Sequence, residues 1–457
     1  MNDVLQTIAA IRAFRAHVLE PYRTSPLLAC SLSDVKRVVI INSSSRSGSS
    51  LLYALLRKLP QVCALTGEAA PFYKLNASLS GFNPHAGEKI PTELLDRVID
   101  YEGLTRDFLS DLSGAEVETR TDRIGAAPYM DGLMLRLSLQ WPDIRFEPDT
   151  LREVVAGAFS RYGEKNRTFC AEAFYLDLLE ALHTRWPRIN PFYYDIGTDK
   201  VALRFPFLEI PTGPPTDCFT IEEPPFILLA PRRAATPTDL GERVLLLKST
   251  VDCYRMNLIE RIFPAADIRV IHLVRNPAAT INGLYDGWLH RGFFSHNLAY
   301  SFGDDCRHRL RIKGYSDRFP FGENWWNFDL PEGWQEVADQ DLVQVCAFQW
   351  HAANTEILGH LAASQRSSCL VHFEEIIRSN DSRQLEFQRM LEFMGIPAGS
   401  LPALGLDALP VVQSTLPPQL YRWKRREDMI ARVLAAPHIQ EMAATFGYRA
   451  ENMEAWL

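Results

Sequence analysis

Five short apolar runs, Val38–Asn42 (VVIIN), Val62–Leu65 (VCAL), Val244–Lys248 (VLLLK), Val270–Val274 (VIHLV) and Cys369–Phe373 (CLVHF), constrain the fold more than any other feature. Each is too continuously apolar to be a strand with one wet face, and helical patterns lie between them. Together they predict an α/β protein: a central parallel sheet flanked by helices. After the first run, Leu51, Leu52, Leu55, Leu56 and Leu59 form a stripe at helical spacing that Pro60 ends. Phe387, Met390, Leu391 and Met394 repeat the pattern, with Gly395 and Pro397 as stop signals. A third helix near Cys253–Phe263 would be the crossover joining VLLLK to VIHLV.

Residues 72–243 read as a large insertion, interrupted by the Pro-rich stretch IPTGPPTDCFTIEEPPFILLAPRR. A second irregular zone, residues 287–334, is crowded with aromatics from Trp288, Phe293 and Phe294 to Trp325, Trp326, Phe328 and Trp334. The expected division of the single domain 1–457 is a first βαβ unit over 36–71, the insertion over 72–243 as the acceptor-binding region, and a second βαβ unit over 244–290. An aromatic lid over 291–340 and C-terminal helices with a basic loop over 341–457 complete it.

Charge limits the partners. Lys and Arg total 48 against 56 Asp and Glu, a formal charge of -8, so coating nucleic acid or an anionic membrane is not expected and any anion site must be local. The first twenty residues lack a signal-peptide pattern and no run suits a spanning helix, so the expectation is a soluble, cytoplasmic protein. The 8 cysteines (30, 63, 170, 218, 253, 306, 346 and 369) have no metal-site or disulfide spacing and read as buried thiols, with no metal expected.

The sequence VVIINSSSRSGSSLL is a strand, a Ser/Gly-rich turn and a helix start. Backbone N–H groups at Ser47, Gly48, Ser49 and Ser50, the helix dipole and the fixed charge of Arg46 make an anion site there. It lacks the leading Gly and the Lys of the G-x-x-x-x-G-K-[ST] loop, whose hydroxyl holds magnesium, so a P-loop kinase or ATPase fits poorly. Lys248 closes a buried strand at the carboxyl edge of the sheet, where α/β proteins bind ligands.

Arg46-Ser47-Gly48-Ser49-Ser50 resembles the 5′-phosphosulfate loop of PAPS-dependent sulfotransferases, where Lys or Arg precedes Ser-Gly-Thr/Ser-Thr/Ser. VIHLVRNPAATINGLYDGW resembles the family's 3′-phosphate motif, with Arg275 at the arginine position. VHFEEIIRSNDSRQLEFQRMLEFMGIP is similar to its late strand and helix, and YRWKRREDMIARVLAAPHIQEMAATFGY to its basic C-terminal segment. The resemblance covers about half the chain. It implies a P-loop nucleotide-binding type of fold and transfer of a sulfuryl group, without a metal, from PAPS to a hydroxyl or amine, leaving 3′,5′-ADP. It places Arg422, Lys424 and Arg425 near the nucleotide.

Two family positions differ. Asn282 stands near the usual 3′-phosphate Ser and has N–H donors to replace it. Thr250 stands where small-molecule sulfotransferases carry their His, two residues past Lys248. Other branches use a Glu after the phosphate loop and its helix, and Glu68 holds that place as the expected base. Lys248 and Arg46 would neutralise the leaving 5′-phosphate. Glu222, Glu223 and Asp286 receive no catalytic role. The aromatic zone suggests a small-molecule or natural-product acceptor with an apolar or aromatic part. The rival reading is a non-catalytic nucleotide-binding protein.

Overall fold

The computed structural model describes residues 2–18, 26–76, 87–117, 119–124, 126–218, 220–223, 226–302 and 309–457. Cys306, and Pro224 and Pro225 of the Pro-rich stretch, lie outside them. Seven strands form one sheet: β1 (Arg37–Asn42), β2 (Val62–Leu65), β3 (Leu112–Val117), β4 (Arg232–Ala234), β5 (Val244–Leu247), β6 (Asp267–Val274) and β7 (Ser368–His372), in the order β4-β3-β2-β5-β1-β6-β7. The five apolar runs are the five contiguous strands β2, β5, β1, β6 and β7, and all pair in parallel.

The other edge departs from a purely parallel sheet. β3 pairs antiparallel with β2, and β4 antiparallel with β3. Both belong to the segment read as an irregular insertion, and neither shows as a strand by composition: LSGAEV and RRA carry charge and a glycine. β4 lies at the edge, where charged residues are tolerated, while β3 inside it is buried over residues 112–115 through small side chains that give no apolar signature. The segment is otherwise mostly helical, with helices at Tyr101–Asp111, Ala126–Gln140, Pro148–Lys165 and Ala171–Arg185. Their aromatic core includes Trp141, Phe174 and Tyr175.

Alternation along β1 explains why its run is unbroken. Val38 and Ile40 face a core shared with Leu258, Ile259 and Phe108. Val39 and Ile41 face the opposite core, against Leu52, Leu55 and Leu56 of the helix Ser49–Leu56 and Phe387, Met390 and Leu391 of the helix Asn380–Met394. Both faces are dry at β1, so no polar alternation survives there, whereas the edge strand β7 alternates, with Ser368 and Leu370 exposed. The second helix stops as its sequence suggests: Gly395 sits at φ 70° and Ile396 N donates to Leu391 O at 2.8 Å, closing a Schellman turn.

The aromatic zone is mainly core. Trp288, Tyr315, Trp326, Trp334 and Trp350 pack together between the helices Pro277–Trp288 and Leu342–Ser364. Of the cysteines, 63, 218, 253, 346 and 369 are buried, Cys30 is half-buried and Cys170 is exposed. Among the described residues no helix is long and apolar enough to cross a membrane.

Phe387 is fully buried where the helix Asn380–Met394 meets the sheet. Phe387→Ala should lower the unfolding free energy by roughly 3–5 kcal/mol, measured by urea denaturation, because the cavity cannot collapse between a helix and a sheet.

Candidate active site

Parallel pairing sends the carboxyl ends of five strands to one edge of the sheet, and each delivers one part of the site. In register, Asn42 of β1 lies opposite His272 of β6, Ile40 opposite Leu247 of β5, Ala64 of β2 opposite Leu246, and Val274 opposite His372 of β7. Beyond those ends come the loop Ser43–Ser50, Glu68, Lys248, Arg275 and Phe373, and Arg46, Glu68, Lys248, Arg275 and Phe373 all line one cavity of about 600 Å³. This is the edge at which open α/β sheets bind ligands.

The loop after β1 is shaped by two positive φ angles, 67° at Arg46 and 98° at Gly48. A Cβ on Gly48 would lie 2.2 Å from the Phe373 ring, so only glycine fits here on both counts. Inside the loop, the Ser44 and Ser47 hydroxyls are 2.8 Å apart, Ser47 N donates to Ser44 O at 3.3 Å, and Ser45 Oγ donates to Asp329 Oδ1 at 2.8 Å. Ser47 is thus an internal brace, while Arg46, Gly48, Ser49 and Ser50 face the cavity. The Gly48, Ser49 and Ser50 N–H groups have no backbone acceptor among the described residues, as expected at the start of the helix Ser49–Leu56.

Lys248 bridges the two halves of the site. Its Nζ donates to Ser50 Oγ at 3.0 Å and makes a short ion pair with Glu68 Oε1, with its side chain almost wholly buried. Thr250 lines the same cavity.

The second cationic feature follows β6. Asn276 caps the helix Pro277–Trp288 by accepting from Ala279 N at 2.7 Å, and Pro277 takes the first helical position. Glu374 holds that turn, accepting from Asn276 N at 2.9 Å, Asn276 Nδ2 at 2.7 Å and the Tyr448 hydroxyl at 2.8 Å. Arg275 lies over the Phe373 ring at 4.9 Å, and its Nε is buried with no hydrogen-bond partner. Arg46 lies over Phe293 at 5.0 Å, and its Nε is likewise buried and unpartnered. At Gly283 the helix has no side chain to obstruct the loop, since a Cβ would come within 3.2 Å of Arg46 Cβ.

The arginines crowd one another. Burial, with repulsion from Arg422 and Arg275, holds the Arg46 guanidinium down to about 10. Burial also lowers Arg275, with Arg422 adding to it and Glu374 opposing. Asp286 offsets part of this charge, pairing with Arg422 at 3.2 Å and Arg426 at 2.8 Å.

Of the expected nucleotide residues, Arg46, Gly48, Ser49, Ser50, Arg275, Asn282 and Arg422 meet at the cavity. Lys424 and Arg425 do not. Lys424 stacks over the Tyr421 ring at 4.9 Å and Arg425 donates to Gln419 at 2.6 Å, both on the exposed side of the basic turn. Instead Arg426 reaches inward, donating to Asn282 Oδ1 at 2.6 Å. The 3-10 turn Arg422–Arg426 sets the consecutive Lys424 and Arg425 outward and Arg422, Trp423 and Arg426 inward, which a run of five residues does not reveal. Gln413, Phe373, Glu374 and Asp286 also shape the site; the last apolar run ends at Phe373 and Glu374 follows directly, which is the sign of these two in the sequence.

Beyond Lys248 the cavity changes character. Lys74, Glu222 and Glu223 line it with Ile221, Ile227, Phe293 and Phe328. Burial raises Glu223 to about 7, with Glu68 adding and Lys74 opposing. Burial raises Glu222 to about 7, with Arg136 opposing and Asp111 and Glu68 adding. Among the described residues no group of three or more His, Cys, Asp or Glu side chains is placed to hold a metal.

No family model and no curated protein matches the chain. Among solved structures, the sulfotransferase domain of the Synechococcus PCC 7002 olefin synthase is similar at TM-score 0.34 and 15% identity, covering 91% of this chain and 95% of that one. Sulfotransferase STF9 from Mycobacterium avium is similar at TM-score 0.36 and 12% identity, covering 98% and 85%. A sulfotransferase from Alicyclobacillus acidocaldarius is similar at 0.31 and 10%, covering 92% and 99%. At scores and identities this low the likeness carries no weight for activity, which rests on the residues.

The raised carboxyls fix a pH dependence. Between the unfolded value near 4.5 and the folded value near 7, the folded protein binds more protons at Glu223 than the unfolded chain, so stability falls as pH rises through that window. Urea midpoints measured from pH 5 to pH 8 should therefore decline less steeply in Glu223→Gln than in the parent.

Proposed function

We propose that the protein is a PAPS-dependent sulfotransferase acting on a hydroxyl or amine of a small-molecule acceptor. One observation carries the reading: two separate cationic features, the β1 loop with Arg46 and the β6 end with Arg275, face one cavity. Each contributes a buried, unpartnered guanidinium Nε. A nucleotide with phosphates at its 5′ and 3′ positions meets both needs, whereas a simple 5′-nucleotide meets one. Burying like charges together is costly unless an anion joins them.

In this reading Ser49, Ser50 and the loop N–H groups hold the 5′-phosphosulfate, and Arg275, Asn282 and Arg422 the 3′-phosphate. Glu68 accepts the proton of the acceptor oxygen or nitrogen as its bond to sulfur forms, and the bond from sulfur to the 5′-phosphate oxygen breaks in line. Lys248 couples the two events. Its ammonium shared with Ser50 is drawn toward the leaving oxygen as negative charge grows there, which frees the Glu68 carboxylate to take the proton. Arg46 neutralises the same leaving group. Ile221, Ile227, Phe293 and Phe328 suit an apolar or aromatic portion of the acceptor.

Isothermal calorimetry with 3′,5′-ADP, AMP and ATP tests the donor assignment. 3′,5′-ADP should bind at least tenfold more tightly than AMP, and Arg275→Ala should remove most of that preference. Equal binding of the three nucleotides would overturn the assignment. In turnover, Glu68→Ala should lower the rate by roughly 10²–10⁴ while leaving 3′,5′-ADP affinity nearly unchanged; an unaltered rate would exclude Glu68 as the base.

A further inference from the structure

The segment 406–420 has no helix or strand, and none of its N–H groups donates to a backbone carbonyl among the described residues. It nevertheless covers the phosphate end of the cavity, where Leu409–Ser414 and Pro418–Leu420 line the wall. Leu406 and Leu409 anchor its start in the core, but Val411, Leu416 and Leu420 are exposed, so burial does not hold its centre down.

Polar contacts at its centre do. Gln413 Oε1 accepts from Ser50 Oγ at 2.7 Å, and Gln413 O accepts from Arg46 Nη1 at 2.9 Å. Thr415 Oγ1 accepts from Arg46 Nη2 at 3.4 Å, and Gln413 N donates to Asp195 Oδ2 at 3.3 Å. Gln413 adopts φ 46°, a region that residues other than glycine seldom occupy. Such a conformation persists only where surrounding contacts impose it.

The Ser50 hydroxyl has a single proton. Lys248 donates to its oxygen, and the proton goes to Gln413. A phosphate oxygen needs that same proton, so Ser50 serves Gln413 or a phosphate, never both. Arg46 is in the same position, because the edge it presents to Gln413 O and Thr415 Oγ1 is an edge it would turn to an anion.

We propose that Gln413 is an internal competitor for the donor's 5′-phosphate, so that donor binding and release of the strap 406–420 are one coupled step. The inference rests on the reading of this cavity as a PAPS site. Because the competing contact is a hydrogen bond of ordinary kind, removing it should matter moderately. Gln413→Ala should bind 3′,5′-ADP roughly threefold to tenfold more tightly than the parent. Thr415→Ala, which loosens the strap without touching Ser50, should tighten binding by a smaller factor. In a Ser50→Ala background Gln413→Ala should bring little further gain, since the shared proton is gone.

Calorimetry of these variants, with hydrogen exchange of the parent with and without saturating 3′,5′-ADP, tests the proposal. Binding should speed exchange of the Gln413 amide, which donates to Asp195, while slowing exchange in the loop 43–50. If Gln413→Ala binds no more tightly and the strap becomes better protected, Gln413 is a closing contact and the proposal is overturned, while a weakened Arg275→Ala would leave the donor assignment intact. Absence of 3′,5′-ADP binding by the parent and by Gln413→Ala alike would overturn both.

Discussion

Parallel pairing of β1 between β5 and β6 is the constraint on which the rest depends. It aligns the ends of three central strands at one edge, so the loop Ser43–Ser50, Lys248 and Arg275 emerge side by side without any long-range folding of loops toward one another. β2 and β7, paired outside them, add Glu68 and Phe373. Shifting a central strand by a residue would exchange its side chains between two differently packed cores as well as displace its functional end, so packing and site geometry are specified by the same register.

Charge then sets what such an edge will accept. Arg422 and Arg275 lie near enough to depress Arg46, and Arg422 depresses Arg275 as well, while Asp286, Asp195 and Glu374 stand against them. These counter-charges leave the end of the cavity at Arg46 and Arg275 cationic inside a chain of net charge -8. At the other end Glu68, Glu222 and Glu223 face Lys74 and Lys248, which gives a balanced and partly apolar surface. The two ends meet at Lys248, which contacts Ser50 on one side and Glu68 on the other.

Residues whose role comes from the strand and loop pattern were legible in the sequence. Val38–Asn42 predicts a strand because both its faces are dry, and Gly48 marks a turn because the chain needs a left-handed residue against Phe373. β3 and β4 were not legible: RRA is a partly exposed edge strand, and LSGAEV beside it is buried through small residues that carry no apolar signature. Nor was the choice among Arg422, Lys424, Arg425 and Arg426, which the handedness of one turn decides. Gln413 was hidden for a different reason: it belongs to a segment with no regular backbone pattern, and its importance comes from a single hydroxyl on a distant helix.

The central claim is that this sheet edge transfers a sulfuryl group and does more than hold a nucleotide. The most direct measurement follows sulfur-35 from labelled PAPS into the small molecules of an extract, with 3′,5′-ADP release recorded in parallel. The account predicts a labelled product, one 3′,5′-ADP for each label moved, and loss of both with Lys248→Met. Tight nucleotide binding with no label transferred to any acceptor would contradict it.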